Sequence, residues 1–149
     1  MQVIAVLKQP VSAEKKSGKI PISASKSLPF ITETPLWSFG KLDDTYDKWR
    51  INDPGVLEEL KAFEGLTWQA IMSDKGSKKN GHGSKSHYVE CSKLAKEAQK
   101  RLRDINLGAE DVLFSLRLGS KKRLYGILRN RWFEIIWYDT RHEIYRTKG

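Results

Sequence analysis

The sequence is most informative over residues 113–145, which read LFSLRLGSKKRLYGILRNRWFEIIWYDTRHEIY. Three apolar runs with a strand-like period of two occur here, at 114–118, 123–128 and 132–138. The short polar stretches between them have the composition of tight turns. The pattern therefore predicts a C-terminal antiparallel β-meander of three strands.

Helical signals come before these strands. Asp53-Pro54 is a typical helix start, and apolar residues then recur at helical spacing up to Gly65. Thr67 is placed to cap a second short helix, and an amphipathic helix is predicted from about 88 to 106. Helices followed by a meander indicate an α+β domain. We expect two or three helices to pack on one sheet face and leave the other face free to bind.

The chain divides by composition. Residues 1–34 are rich in proline, serine and lysine and predict a flexible basic arm, although the apolar segment 3–7 could instead add as an edge strand. Residues 35–149 are predicted to form a single domain. Within it, residues 73–87 form a glycine- and lysine-rich loop that suits either a phosphate-binding flap or a solvated insertion.

The charge favours a polyanionic partner. The 149 residues carry a formal charge of +9, and residues 117–149 alone hold nine bases and three acids. Cys91 is the only cysteine, so an internal disulfide or a cysteine-based zinc cluster is excluded, and we expect no metal and no cofactor. No apolar run of about 20 residues and no secretory signal are present, which leads us to expect a cytoplasmic protein without membrane contact.

Residues 112–146 resemble the C-terminal part of the RelE/ParE superfamily of small bacterial toxins. Members of that family end in an arginine-bearing strand, an Arg-hydrophobic-x-Tyr strand, a hydrophobic third strand and a closing Arg-x-x-x-Tyr or similar. The matching segments here are 116–118, 123–125, 132–137 and 141–145. The chain departs from the family in its length, in its N-terminal arm and in the Trp-Tyr-Asp at 137–139. The resemblance implies a RelE-like α+β fold.

The resemblance also implies an mRNA interferase, which cleaves RNA by driving the ribose 2′-hydroxyl onto the adjacent phosphate without a metal. Arg117, Arg123 and Arg141 match the family's cationic positions and would contact phosphate, with Arg123 close to the reacting group. Tyr145 matches the closing aromatic residue, which stacks on a base or takes part in proton transfer. His142 is the natural acid or base because its ordinary pKa lies near neutrality.

Further RNA contacts are expected from hydroxyl and lysine side chains. These are Ser115 and Tyr125 on the sheet, Lys121 and Lys122 in the first turn, and Lys78 and Lys79 in the loop. The family implies two partners: RNA, either free or on the ribosome, and a small antitoxin protein. Two alternatives stay open, a non-catalytic nucleic-acid-binding protein and a phage or mobile-element protein that inhibits a host protein. In either case these side chains could simply be exposed sheet residues.

Overall fold

The computed structural model describes residues 28–74, 85–119 and 121–146. In chain order its elements are β1 (Leu36–Ser38), α1 (Gly55–Phe63), α2 (Trp68–Ser73), β2 (His87–Glu90), α3 (Lys96–Asp104), β3 (Val112–Arg117), β4 (Arg123–Arg129) and β5 (Trp132–Asp139). The strands form one sheet in the order β1-β5-β4-β3-β2. Strands β2 to β5 pair antiparallel, whereas β1 runs parallel to β5. The α+β class is therefore confirmed.

The pairing of β4 with β5 is interrupted by a bulge. Tyr125 pairs with Trp137 but Gly126 pairs with Ile135, so Ile136 is an extra residue on β5. Gly126 lies against the partner backbone at this point, since a Cβ there would stand 2.1 Å from the Glu134 carbonyl oxygen. The bulge therefore requires glycine at position 126.

One face of the sheet is covered by α1 and α2. Asp53 Oδ1 accepts a hydrogen bond from the Gly55 N–H (2.9 Å), and Thr67 Oγ1 accepts one from the Ala70 N–H (3.1 Å). The predicted cap at Thr67 is confirmed, and α1 begins within one residue of its predicted start, with Pro54 at the cap position. The helices bury apolar residues against the aromatic side chains of β3 and β5: Val56, Leu60, Trp68 and Ile71 against Phe114 and Phe133.

The second face is covered as well, so the expectation of one free sheet face is wrong. Ala98 and Leu102 of α3 are buried there with Leu113 of β3 and Ile127 of β4. Trp49 joins the same cluster, with its ring centroid 5.0 Å from that of Trp137. The sheet is sandwiched because the small-residue stripe of α3 packs opposite α1 and α2.

The helix predicted from about 88 to 106 is wrong over residues 88–95, because α3 begins only at Lys96. His87–Glu90 is strand β2, which pairs with 112–115 of β3, and a 3₁₀ turn at Cys91–Lys93 precedes α3. Tyr88 and Val89 alternate between the two faces of the sheet, as strand residues do. Of the loop predicted at 73–87, Ser73 belongs to α2 and His87 to β2, and residues 75–84 lie outside the described residues.

Residues 28–34, which composition assigns to the arm, pack on the domain. Phe30 is buried in the first core, and the Glu33 carbonyl accepts a hydrogen bond from the Trp68 N–H (2.9 Å). The rest of the predicted arm, with the alternative strand at 3–7, and the loop residues Lys78 and Lys79 lie outside the described residues. None of the helices in the described part of the chain has the length and apolarity needed to cross a lipid bilayer.

Candidate active site

Polar side chains share one end of the second sheet face. His87 of β2 lies opposite Ser115 of β3, and Ser115 lies opposite Tyr125 of β4. One step further along, Arg117 lies opposite Arg123. Residues directly opposite each other in an antiparallel pair point to the same side of the sheet. All of them therefore face the side on which α3 packs.

The segment after β5 returns over this end of the sheet because Asp139 holds it there. Asp139 is fully buried, and its carboxylate accepts backbone hydrogen bonds from Arg141 (3.1 Å), Glu143 (2.8 Å) and Ile144 (2.8 Å). Ile144 is buried in the second core, and its carbonyl accepts from the Ala95 N–H at the start of α3 (2.8 Å). The turn places His142 and Tyr145 beside the strand residues.

We call the group formed by His87, Arg117, Arg123, His142 and Tyr145 the basic corner. The Tyr145 ring stands edge-on to the His87 ring, with 6.1 Å between centroids. Arg123 is close enough to His142 for its charge to affect that residue's pKa, and Arg117 affects Arg123 in the same way. Two imidazoles, a phenol and two guanidinium groups thus converge in one small region.

The surroundings of His142 disfavour its protonated form. Burial lowers its pKa most, and the charge of Arg123 lowers it further; Asp139 raises it, whereas Lys121 and Arg146 add to the lowering. Its backbone is left-handed (φ 59°), a conformation uncommon outside glycine. Its Nδ1 is buried without a hydrogen-bond partner among the described residues. A left-handed histidine with a buried, unpaired nitrogen is costly, which is typical of functional sites.

The two arginines of the corner differ in accessibility. Arg117 is half-buried, and its guanidinium forms no ion pair with the described residues. Arg123 is buried, and its Nη1 donates to the carbonyls of Gly119 and Lys122 at 3.0 Å each. Burial lowers the pKa of Arg123, yet a guanidinium stays protonated at neutral pH. Arg117 is therefore the more accessible cation, and Arg123 holds the β3–β4 turn.

Ser115 and Tyr125 lie on the predicted face but are closed to solvent. Both side chains are buried and their hydroxyl groups are hydrogen-bonded to each other. Burial raises the pKa of Tyr125 to about 12, so this phenol stays protonated. These two residues form the floor of the basic corner.

The remaining predicted cations are dispersed. Lys121 is exposed and near His142, whereas Lys122 faces α1, where its Nζ lies 3.2 Å from Glu59 Oε2. Arg141 is exposed and lines a separate polar pocket of about 300 Å³ with Asp47 and Lys48. No contact within the described residues joins Arg141 to Arg117 or Arg123. The structure thus brings together two of the three predicted phosphate-binding arginines.

Sequence reasoning missed His87 and Asp139. His87 was assigned to a polar loop, although the adjacent Tyr-Val pair at 88–89 consists of residues that favour strands. Asp139 gave no signal in sequence, because its role depends on the turn that follows β5.

Among the residues that the structure describes, no three histidine, cysteine, aspartate or glutamate side chains are grouped as a metal site requires. No known protein family, curated protein or solved structure matches the chain.

Proposed function

We propose that this chain is a toxin-type endoribonuclease of the RelE-like kind, acting on RNA. The observation that carries the proposal is the convergence of His142, Tyr145, Arg117 and Arg123 in the basic corner. The resemblance of residues 112–146 to the RelE/ParE superfamily supports it independently of that geometry. The net charge of +9 is consistent with an RNA substrate.

The proposed reaction is transfer of the phosphate to the neighbouring 2′-oxygen. A base removes the 2′-hydroxyl proton as that oxygen attacks phosphorus, the bond from phosphorus to the 5′-oxygen breaks, and an acid protonates the departing oxygen. The products are a 2′,3′-cyclic phosphate and a 5′-hydroxyl. Guanidinium groups stabilise the charge that builds on the phosphoryl oxygens. His142 serves as one of the two proton-transfer groups.

We assign a role to each arginine from the solvent exposure of its side chain. Arg117 has no competing ion pair in the described part of the chain and contacts the scissile phosphate. Arg123 adds positive charge from beneath and fixes the turn that carries Lys121. Arg141, in its separate pocket, would contact RNA away from the cleaved bond. Tyr145 packs on His87 and presents its remaining ring surface to a nucleobase of the RNA.

The proposed setting is the bacterial cytoplasm, with RNA met either free or on the ribosome. A small antitoxin of acidic character would neutralise the enzyme, as in the family that residues 112–146 resemble. Co-expression with the protein encoded by the neighbouring reading frame tests this partner, and failure to form a complex that blocks activity would contradict it.

The activity is tested with end-labelled mRNA in the presence of EDTA, with and without ribosomes. We expect cleavage by the wild-type protein and a loss of about 10²–10⁴-fold in rate for His142→Asn. Arg117→Ala should lose about 10²–10³-fold. The matched control is Arg103→Ala, which removes the same charge from an exposed position on α3 and should keep the wild-type rate. A folded wild-type protein that cleaves under none of these conditions refutes the proposal.

A second candidate, a non-catalytic RNA-binding protein, is favoured by one observation. Arg123, Ser115 and Tyr125 are buried, so part of the predicted site has a structural role. Such a protein would bind RNA with a steep salt dependence and leave it intact. In that case the RNA would stay intact and His142→Asn would leave RNA binding unchanged, whereas Arg117→Ala would weaken RNA binding.

A further inference from the structure

His87 occupies a position that the sequence alone did not connect with the site. It is the first residue of β2, directly opposite Ser115. Arg117 lies two residues further along β3 on the same face, which places its Cα about 7 Å from that of Ser115. Ser86 strengthens this arrangement, because its Oγ accepts a hydrogen bond from the Arg117 N–H (2.9 Å). His87 is therefore fixed to the strand that carries the accessible arginine.

A backbone contact determines which nitrogen of His87 carries hydrogen. Nδ1 lies 2.9 Å from the carbonyl oxygen of Tyr88. A carbonyl oxygen can only accept, so Nδ1 must be the donor. In the neutral imidazole the lone pair is then on Nε2, and no described residue forms a hydrogen bond with that atom. On protonation Nε2 gains a transferable hydrogen, so the ring can serve as a general acid with one nitrogen oriented by a fixed acceptor and the other available.

Tyr145 connects His87 with the segment that bears His142. Its ring is edge-on to His87 at 68°, and it follows His142 by three residues in a turn fixed by Asp139. The half-buried imidazole of His87 is thereby restrained from two sides, by the Tyr88 carbonyl and by the Tyr145 ring. An imidazole restrained in this way can act without the entropy cost of first finding its orientation.

We infer that His87 is the general acid of the site, giving the proton of Nε2 to the 5′-oxygen, with His142 as the base at the 2′-hydroxyl. The inference rests on the proposed function and adds a second proton-transfer residue to it. His142 takes the 2′-hydroxyl proton as the electron pair of the 2′-oxygen forms the new bond to phosphorus. The 5′-oxygen leaves with the old bond pair and a proton from His87. Both histidines return to their starting states by exchanging one proton with water.

The charges around the two rings differ. His142 is surrounded by Arg123, Lys121 and Arg146 and by the one acid Asp139. His87 has the ring of Tyr145 against it. The cations around His142 disfavour its protonated form, so His142 suits the base and His87 the acid. A base must be unprotonated and an acid protonated, so the rate should have an acidic and an alkaline limb.

The test is the pH dependence of RNA cleavage by His87→Asn. An asparagine amide can still donate to the Tyr88 carbonyl but has no titrating nitrogen, so the variant should fold. We expect a loss of about 10²–10⁴-fold in rate and the disappearance of the alkaline limb, while His142→Asn loses the acidic limb. The matched control is Glu90→Gln, at the exposed opposite end of β2, which should keep both limbs and the rate.

The outcomes separate the two proposals. If the wild-type protein cleaves RNA and His87→Asn keeps the wild-type rate with both limbs, the role of His87 is refuted and the proposed function stands. If the wild-type protein cleaves nothing, both fall. A second measurement follows the Cε1–H resonances of the histidines during titration with inorganic phosphate. The resonances of His87 and His142 should shift with one shared dissociation constant, and independent or absent responses would contradict a common phosphate site.

Discussion

Asp139 shows how a single side chain can shape a site that it does not enter. Its carboxylate accepts three backbone N–H groups from the turn that carries His142, and it lies opposite Arg123 in the sheet. Buried backbone donors without partners are costly, so the turn depends on this carboxylate. Asp139 is a positioning residue for His142.

Replacing Asp139 by Asn should weaken both the fold and the site. The amide retains one acceptor oxygen but adds a donor group beside backbone N–H groups, and we expect a loss of about 1–3 kcal/mol in the free energy of unfolding. Urea denaturation measures it. Asp111→Asn, at an exposed position, is the control and should change the stability by less than about 0.5 kcal/mol. Equal stability of the two variants would contradict the role given to Asp139.

At the scale of elements, the β4–β5 bulge is the feature most sensitive to substitution. Gly126→Ala would force a methyl group onto the Glu134 carbonyl, and we expect a loss of about 3 kcal/mol in the free energy of unfolding. Thermal and urea denaturation test it.

The control for this substitution is Gly40→Ala, because a Cβ at position 40 would meet nothing within 4 Å. It should leave the stability unchanged or slightly increased. A Gly126→Ala protein as stable as the Gly40→Ala protein would show that the bulge relaxes without cost.

Local patterns predicted some elements well and others poorly. The strands at 114–118, 123–128 and 132–138 and the helix starts at Asp53 and Thr67 follow from local periodicity and capping, and the structure confirms them. The error at 88–106 has a physical cause. Cys91, Leu94 and Ala98 recur at helical spacing, but residues 87–90 pair with β3 and so belong to the sheet. Their partners lie far away in the sequence, so a local pattern cannot reveal this pairing.

The same limit applies to the candidate site. Arg117 and Arg123 could be paired from sequence because a short turn joins their strands. His87 could not, since its register with Ser115 joins residues 28 positions apart in the chain. Asp139 acts through the backbone of residues that follow it, and a sequence pattern does not show which N–H groups a carboxylate will meet.

At the scale of the whole molecule, buried titratable groups make the fold sensitive to acid. Asp43 is buried and accepts bonds from Arg101 Nη2 (2.7 Å) and Trp137 Nε1 (2.8 Å). Burial alone would raise the pKa of Asp43, but these hydrogen bonds outweigh it and hold the pKa below its usual value. A carboxyl group whose pKa is lowered by folding stabilises the fold at pH values above its unfolded-state pKa, which is about 4. This stabilisation is lost as the pH falls below about 4 and through the folded-state pKa.

His142 adds a second acid-sensitive step at higher pH. Its pKa is below 6.5 in the folded state, so the unfolded chain binds more protons as the pH falls below that value. The free energy of unfolding of the wild-type protein should therefore decrease below pH 6.5 and again below about 4. Urea denaturation from pH 8 to 3 measures both steps. His142→Asn should flatten the first step alone, and an unchanged first step in that variant would assign it to another group.

The parallel pairing of β1 with β5 has a consequence for the newly synthesised chain. Residues 36–38 find their partners only at 132–134, and ribosomes add roughly 5–20 residues per second. The early strand must therefore wait roughly 5–20 s before its neighbour exists. Until then Trp37 has no Phe133 to pack against, and the basic corner lacks the turn that bears His142. If the proposed function holds, a nascent chain would thus stay inactive toward the message being translated until residues 132–145 have left the ribosome.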